Sequence, residues 1–269
     1  HATIRRQRQM CIRDSVQVLP VCINHSDWDH TLEHSANAPA LRLGLRLVKG
    51  VSENSANKLV AARRQRPFKG MDDVKQRQLL QQDELTKLVN VNAFHQFEGN
   101  RRRAYWQSLQ LDDGLHTQQQ HKASFIRPLQ PVEELLSDYR HARGVSLSHH
   151  PMQLLRHLVP FNRCISADQL LMRRNNSMIE IAGVVTGRQR PGTASGVIFM
   201  TLEDETGNIN VVLWKGIQER FRQQILTGRI LYIKGTLEHQ HGVANVVAGY
   251  IEQLDHTLPE LKTASRNFH

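Results

Sequence analysis

An α+β fold class is predicted for this chain of 269 residues: an N-terminal helical region carrying hairpin motifs, followed by a five-stranded β-barrel. Three observations predict it. Residues 177–256 hold five short alternating apolar and polar segments separated by glycine-bearing turns. Residues 41–64 run from an apolar stretch through Lys49-Gly50-Val51-Ser52 into a segment of helical period. Between these regions, residues 109–130 turn polar and glutamine-rich, which reads as an exposed linker.

The barrel segments are justified one by one. Ile179 to Gly187 supplies the first strand. Gly196 to Trp214 reads as two strands joined at Thr206-Gly207, with Ile198, Met200, Leu202, Ile209, Val211 and Leu213 on the core side. The other side offers Phe199 and Trp214 among small and polar neighbours. Ile217 to Gln224 has the pattern of a short amphipathic helix, Arg229 to Leu237 of a fourth strand, and Val243 to Leu254 of a fifth after the turn at Gln240 to Gly242. Five strands with a helix between the third and fourth is the order of the OB-fold, and Gly183, Gly196, Gly228 and Gly235 fall where such a barrel bends or turns. Flat aromatic groups on that curved surface can stack unpaired bases, with Arg188, Arg190 and Lys234 as the surrounding cations.

Upstream, Val16 to Ile23 alternates like a short strand. Leu41 to Val48 forms a strand or short helix, and Glu53 to Arg64 a helix with Ala56, Leu59, Val60 and Ala61 inward. An apolar run, then Lys-Gly-Val-Ser, then a helix is the pattern of a helix-hairpin-helix. Gly50 permits the tight turn, and backbone N–H groups around Val51 and Ser52 can hold a phosphate at the next helix's N-terminus. Lys49, Lys58, Arg63 and Arg64 would add cations that displace counterions from a duplex backbone. Many such hairpins carry a second glycine where Ser52 stands. Pro67 to Val74 opens a second helical pair with Asp72 as its N-cap and Leu79, Leu85, Leu88 and Val89 inward, and Arg101 to Trp106 continues on a helix whose three arginines are expected to be solvated. Pro131 to Arg143 and the segment from His149 to about Pro160 complete the helical part. The expected organisation is a disordered or foreign leader at 1–15, a hairpin-bearing region at 16–108, the linker at 109–130, a helical connector at 131–176, the OB-fold at 177–256 and a tail at 257–269.

Composition narrows the classes. A formal charge of +10 and a sequence pI near 9.9 suit a polyanionic partner. Cys11, Cys22 and Cys164 are far apart and form no Cys-x-x-Cys pair, which argues for a reducing cytoplasm and against a disulfide scaffold or a zinc site. His149 and His150 are adjacent, so they point apart on a helix and make poor joint metal ligands. No apolar run approaches the ~20 residues a membrane span needs. The leader has no apolar core behind its basic residues, so it is no secretory signal. The acidic pairs, Asp27 with Asp29, Asp72 with Asp73, Asp112 with Asp113 and Glu203 with Glu205, sit at expected turns or caps, and no catalytic residue is assigned.

Leu45 to Glu53, Pro67 to Val74, Arg188 to Gly192, Gly196 to Gly207 and the closing Ser265-Arg-Asn-Phe-His269 occur in one order. Together they resemble the C-terminal part of the bacterial error-prone DNA polymerases of the C family, relatives of the replicative polymerase III alpha subunit, over about residues 16–269. The resemblance implies the end of a fingers domain, duplex-binding hairpins and an OB domain that meets single-stranded DNA. It also implies catalytic carboxylates and Mg2+ in a palm domain preceding the hairpin region; no stretch here resembles that palm. Members engage a sliding clamp through a glutamine and aromatic peptide, of which Gln120 to Phe125 is at best a degenerate version. Two other classes fit the barrel alone, a free-standing single-strand-binding protein and an anticodon-binding domain of a tRNA synthetase. The hairpins upstream favour DNA.

Overall fold

A computed structural model describes residues 17–34, 39–109, 126–142, 144, 146, 148–191, 196–240, 242–261 and 266–267. The expected leader, the Gln120 to Phe125 peptide and most of the glutamine-rich stretch lie outside the described residues. The chain forms two compact units that part between Ser148 and His149.

In the first unit the predicted strand at 16–23 is shorter, β1 (Gln17–Leu19), and pairs in parallel with β3 (Pro39–Arg42), which pairs antiparallel with β2 (Thr31–His34). The apolar run at 41–48 divides between β3 and a 3-10 turn, Leu45–Leu47, because Gly44 fits so closely against the Trp28 and Asp29 backbone that a side chain there would collide. The helix Glu53–Gln65 follows. Ala56, Leu59 and Val60 are buried with Leu45, Leu47, Phe68, Leu88 and Phe94, while Ala61 is exposed, one residue outside the buried stripe.

Helices Met71–Gln76, Gln82–Asn90, Arg101–Leu109 and Pro131–His141 complete this unit. Two sequence expectations change. Gly70, not Asp72, is the N-cap of the second helix, and Asp73 closes the turn by accepting from the Lys69 N–H at 3.0 Å and from Arg66 and Arg77. The three arginines are not all solvated. Arg101 is buried, its guanidinium 2.9 Å from Asp138 Oδ1, and Asp138 also accepts from the Ser146 hydroxyl.

The second unit is a closed barrel. Strands β4 (Met178–Gln189), β5 (Ile198–Glu203), β6 (Asn208–Leu213), β7 (Ile230–Gln240) and β8 (Val243–Gln253) pair in the ring β5-β6-β8-β7-β4-β5, with only β6 and β8 parallel. β9 (Arg266–Asn267) adds a short parallel edge beside β4. The predicted single helix is two, Lys215–Arg220 and Arg222–Thr227, separated at the buried Phe221, whose ring meets Tyr250 edge-on. The barrel is filled by Ile181, Val185, Met200, Leu202, Ile209, Val211, Leu213, Ile233 and Val246. Gly235 has no room for a side chain, since a Cβ there would stand 2.4 Å from the Val247 carbonyl oxygen.

Residues ahead of the barrel belong to its packing. Leu170 is part of its core, with Ile165 and Ala167 against it. The buried Asp204, in the turn between β5 and β6, accepts from the Thr206 and Gly207 N–H groups with one carboxylate oxygen. The other oxygen takes the Ala167 N–H at 2.8 Å and the Arg156 guanidinium at 3.0 Å. Arg156 also reaches Glu205 at 2.6 Å.

Candidate nucleic-acid interface

The first hairpin has the predicted shape. Gly50 holds φ +81°, a region that favours glycine, and Ser52 caps the helix Glu53–Gln65 through its hydroxyl, 3.1 Å from the Ser55 N–H. Its anion chemistry differs from expectation. The Ser52 N–H donates to Glu84 Oε1 at 3.1 Å, so an internal carboxylate already occupies the place where a phosphate would meet that group. Burial alone would raise the Glu84 pKa, but donation from the Ser55 hydroxyl and from the Ser52 and Gln81 N–H groups outweighs it and holds the carboxyl below its ordinary range. Val51 is buried in the core.

The cations around the hairpin separate into two kinds. Lys58 and Arg64 project into solvent from the helix. Lys49 is exposed as well, with its ammonium donating to the Arg140 carbonyl at 2.7 Å. Arg63 turns inward, bonding the Ile23, His25 and Ser26 carbonyls and the Asp27 carboxylate, so it fastens the loop after β1 and is corrected to a structural residue.

On the barrel, alternation places side chains as the sequence predicted. Ile198, Met200 and Leu202 are buried, and Phe199 and Trp214 are 39% and 54% exposed. Phe199 pairs across β6 with Val212, and Thr201 with Asn210, giving a flat outward patch of one aromatic ring, small aliphatic groups and amides. Trp214 ends this patch as the N-cap of the helix Lys215–Arg220. An exposed ring of this kind can stack a base on its face. Exposed Lys215, Arg220 and Arg222 lie just beyond Trp214, and the sequence reading passed over them. Their signal was a basic spacing on a helix that follows directly from the aromatic strand end.

Two of the three predicted barrel cations do not face that patch freely. Arg188 is 2% exposed and donates to the Ile225 and Gly228 carbonyls. The reason is a bulge in β4: Val185 pairs with Leu202, but Gly187, not Thr186, pairs with Thr201, so Arg188 falls opposite the core residue Met200. One inserted residue reverses which face each later side chain takes. Lys234 is exposed but sits opposite Glu180 on β4, its ammonium 3.0 Å from that carboxylate. Arg190 remains exposed, close to Gly196 in the connection from β4 to β5.

Fold and faces define the class: a chain of two nucleic-acid-binding modules. Residues 15–104 match the family model described as a helix-hairpin-helix motif, and residues 179–254 match that of an OB-fold nucleic acid binding domain. More particularly, the chain is homologous over almost its whole length to proteins named error-prone DNA polymerase. It is 38% identical over 268 residues to that of Saccharophagus degradans, covering 96% of this chain and 26% of the relative. It is 40% identical over 262 residues to that of Vibrio campbellii and 40% over 269 residues to that of Xanthomonas campestris, covering 96% of this chain and 25% of each relative. The chain thus spans about a quarter of the length of the curated relatives it matches.

Proposed function

We propose that this chain is the DNA-binding portion of an error-prone, damage-tolerant DNA polymerase. The observation that carries the proposal is the match of 96% of the chain to such polymerases, with both nucleic-acid modules inside the matched length. The division of labour follows from the surfaces. Lys58, Arg64 and Lys49 beside the first hairpin suit a duplex backbone, which they would hold without reading sequence. Phe199 and Trp214 suit unpaired bases of the template, and Arg190 with Lys215 suits its phosphates.

In the whole protein the polymerisation step joins a deoxynucleoside triphosphate to a primer end and needs carboxylates that hold Mg2+. Among the described residues, no group of three or more His, Cys, Asp or Glu side chains could hold a metal. The work falls in the cytoplasm, where the whole polymerase would meet a sliding clamp. Among the described residues, no helix is long and apolar enough to cross a membrane.

Fluorescence anisotropy on the purified chain tests the reading, using a labelled duplex, a ~20-nucleotide DNA strand and an RNA stem-loop across a salt series. The expected result is binding to both DNA forms, steeply weakened by salt. Preference for the RNA stem-loop would favour the anticodon-domain alternative and overturn the proposal.

A further inference from the structure

The pairing register of the barrel carries the aromatic patch further than the two strands that bear it. Phe199 on β5 pairs with Val212 on β6, Val212 with Val247 on β8, Val247 with Thr236 on β7, and Thr236 with Met178 on β4. Directly paired residues share a face, so these five side chains form one outward row. Phe199 and Met178 are exposed, and the three between them are half-buried and small. Four strand-to-strand steps of ~4.8 Å make a winding track of roughly 19 Å.

The track ends at a loop with its own chemistry. Leu171, Met172, Arg173 and Arg174 are all exposed, Met172 at 85%. The loop is nevertheless built onto the barrel. Asn176 takes φ +60° and donates its N–H to the Leu237 carbonyl at 2.7 Å, the Ser177 carbonyl accepts from the Leu237 N–H at 2.9 Å, and the Asn175 side chain accepts from the His239 N–H at 2.9 Å. Neither Arg173 nor Arg174 makes an ion pair among the described residues. Two guanidinium groups with no ion pair among the described residues, following Leu171 and Met172 at the end of the row, match a polyanion with flat apolar groups.

We infer that a single DNA strand leaving the Phe199 and Trp214 patch follows this row and is held at its far end by Arg173 and Arg174, a second phosphate-binding edge of the barrel. The inference rests on the proposed reading of the aromatic patch as a single-strand surface. A short strand fills the patch; only a longer one reaches the arginines.

The test is the double variant R173A/R174A in the full chain, its fold checked by thermal melting, with oligothymidines of about 4 and about 16 nucleotides, the range of OB-fold site sizes. Two lost phosphate contacts should lower the salt slope for the longer strand by about 1.4 units and leave that for the shorter strand unchanged. An unchanged slope for the longer strand, with the parent chain binding it, overturns the second edge alone. Equal losses for both lengths overturn it too, since the arginines would then act at the patch itself. A parent chain that binds neither strand removes the reading beneath it.

Discussion

Replacing Arg188 by Ala separates a structural arginine from a binding one. The guanidinium lies inside the barrel end and donates to the carbonyls of Ile225 and Gly228, the last turn and cap of the helix Arg222–Thr227. Its loss leaves two buried acceptors without a donor, at roughly 1–3 kcal/mol each. Relief of the cost of burying a charge offsets part of this, since burial also lowers the Arg188 pKa. The net expectation is a loss of about 2–4 kcal/mol, which at roughly 4 °C per kcal/mol for a unit of this size lowers the melting temperature by about 8–16 °C. Arg188→Met should lose nearly as much, because a restored stem donates nothing. The assay is melting by circular dichroism with single-strand binding measured below the transition, where the salt slope should match the parent. A variant that melts within about 2 °C of the parent and loses a unit of salt slope would refute the reasoning and return Arg188 to the groove.

Phe199→Ala should weaken single-strand binding by roughly 1–3 kcal/mol. Its cost in stability should stay well under the ~3–5 kcal/mol of a buried Phe, because the ring is 39% exposed; wild-type affinity with a much lowered melting temperature would count against stacking. Lys58→Ala and Arg64→Ala should each reduce the salt slope of duplex binding by about one unit, whereas Arg63→Ala should act on melting, and titrations of the three variants distinguish these outcomes. The Glu84 carboxyl, held below its ordinary 4.5 in the folded chain, contributes stability that is present above that value and lost as pH falls below it; Glu84→Gln should flatten the acid side of the stability profile, and a parallel profile in parent and variant would contradict the sign. Primer extension by this chain alone should equal that of a mock preparation, and chelator-sensitive incorporation would overturn its assignment as a DNA-binding portion.

Much of the barrel was legible because strands with one face in the core must alternate. Ile198 to Leu202 and Ile209 to Leu213 state their faces outright, and the pairing of Phe199 with Val212 follows. The bulge in β4 was not legible, since Thr186 and Gly187 look like any two strand residues, and so Arg188 was placed on the wrong face. Helix caps show the same limit. Asp72 and Asp73 both suit an N-terminus, and which one turns back depends on Arg66 and Arg77, brought in by tertiary packing. The hairpin's turn was legible in Gly50, but Glu84, 32 residues away in sequence, could not be foreseen as the acceptor for the Ser52 N–H. Arg101 was hidden for a similar reason: its partner Asp138 lies on a helix beyond the linker.

The carboxylate of Asp204 sets where this protein can be cut. One of its oxygens is satisfied entirely from residues ahead of the first barrel strand, Arg156 and the Ala167 N–H. A fragment beginning at residue 177 would contain all five strands but lose both of these donors, and with them Leu170 from the barrel core. A fragment beginning at His149 keeps both donors.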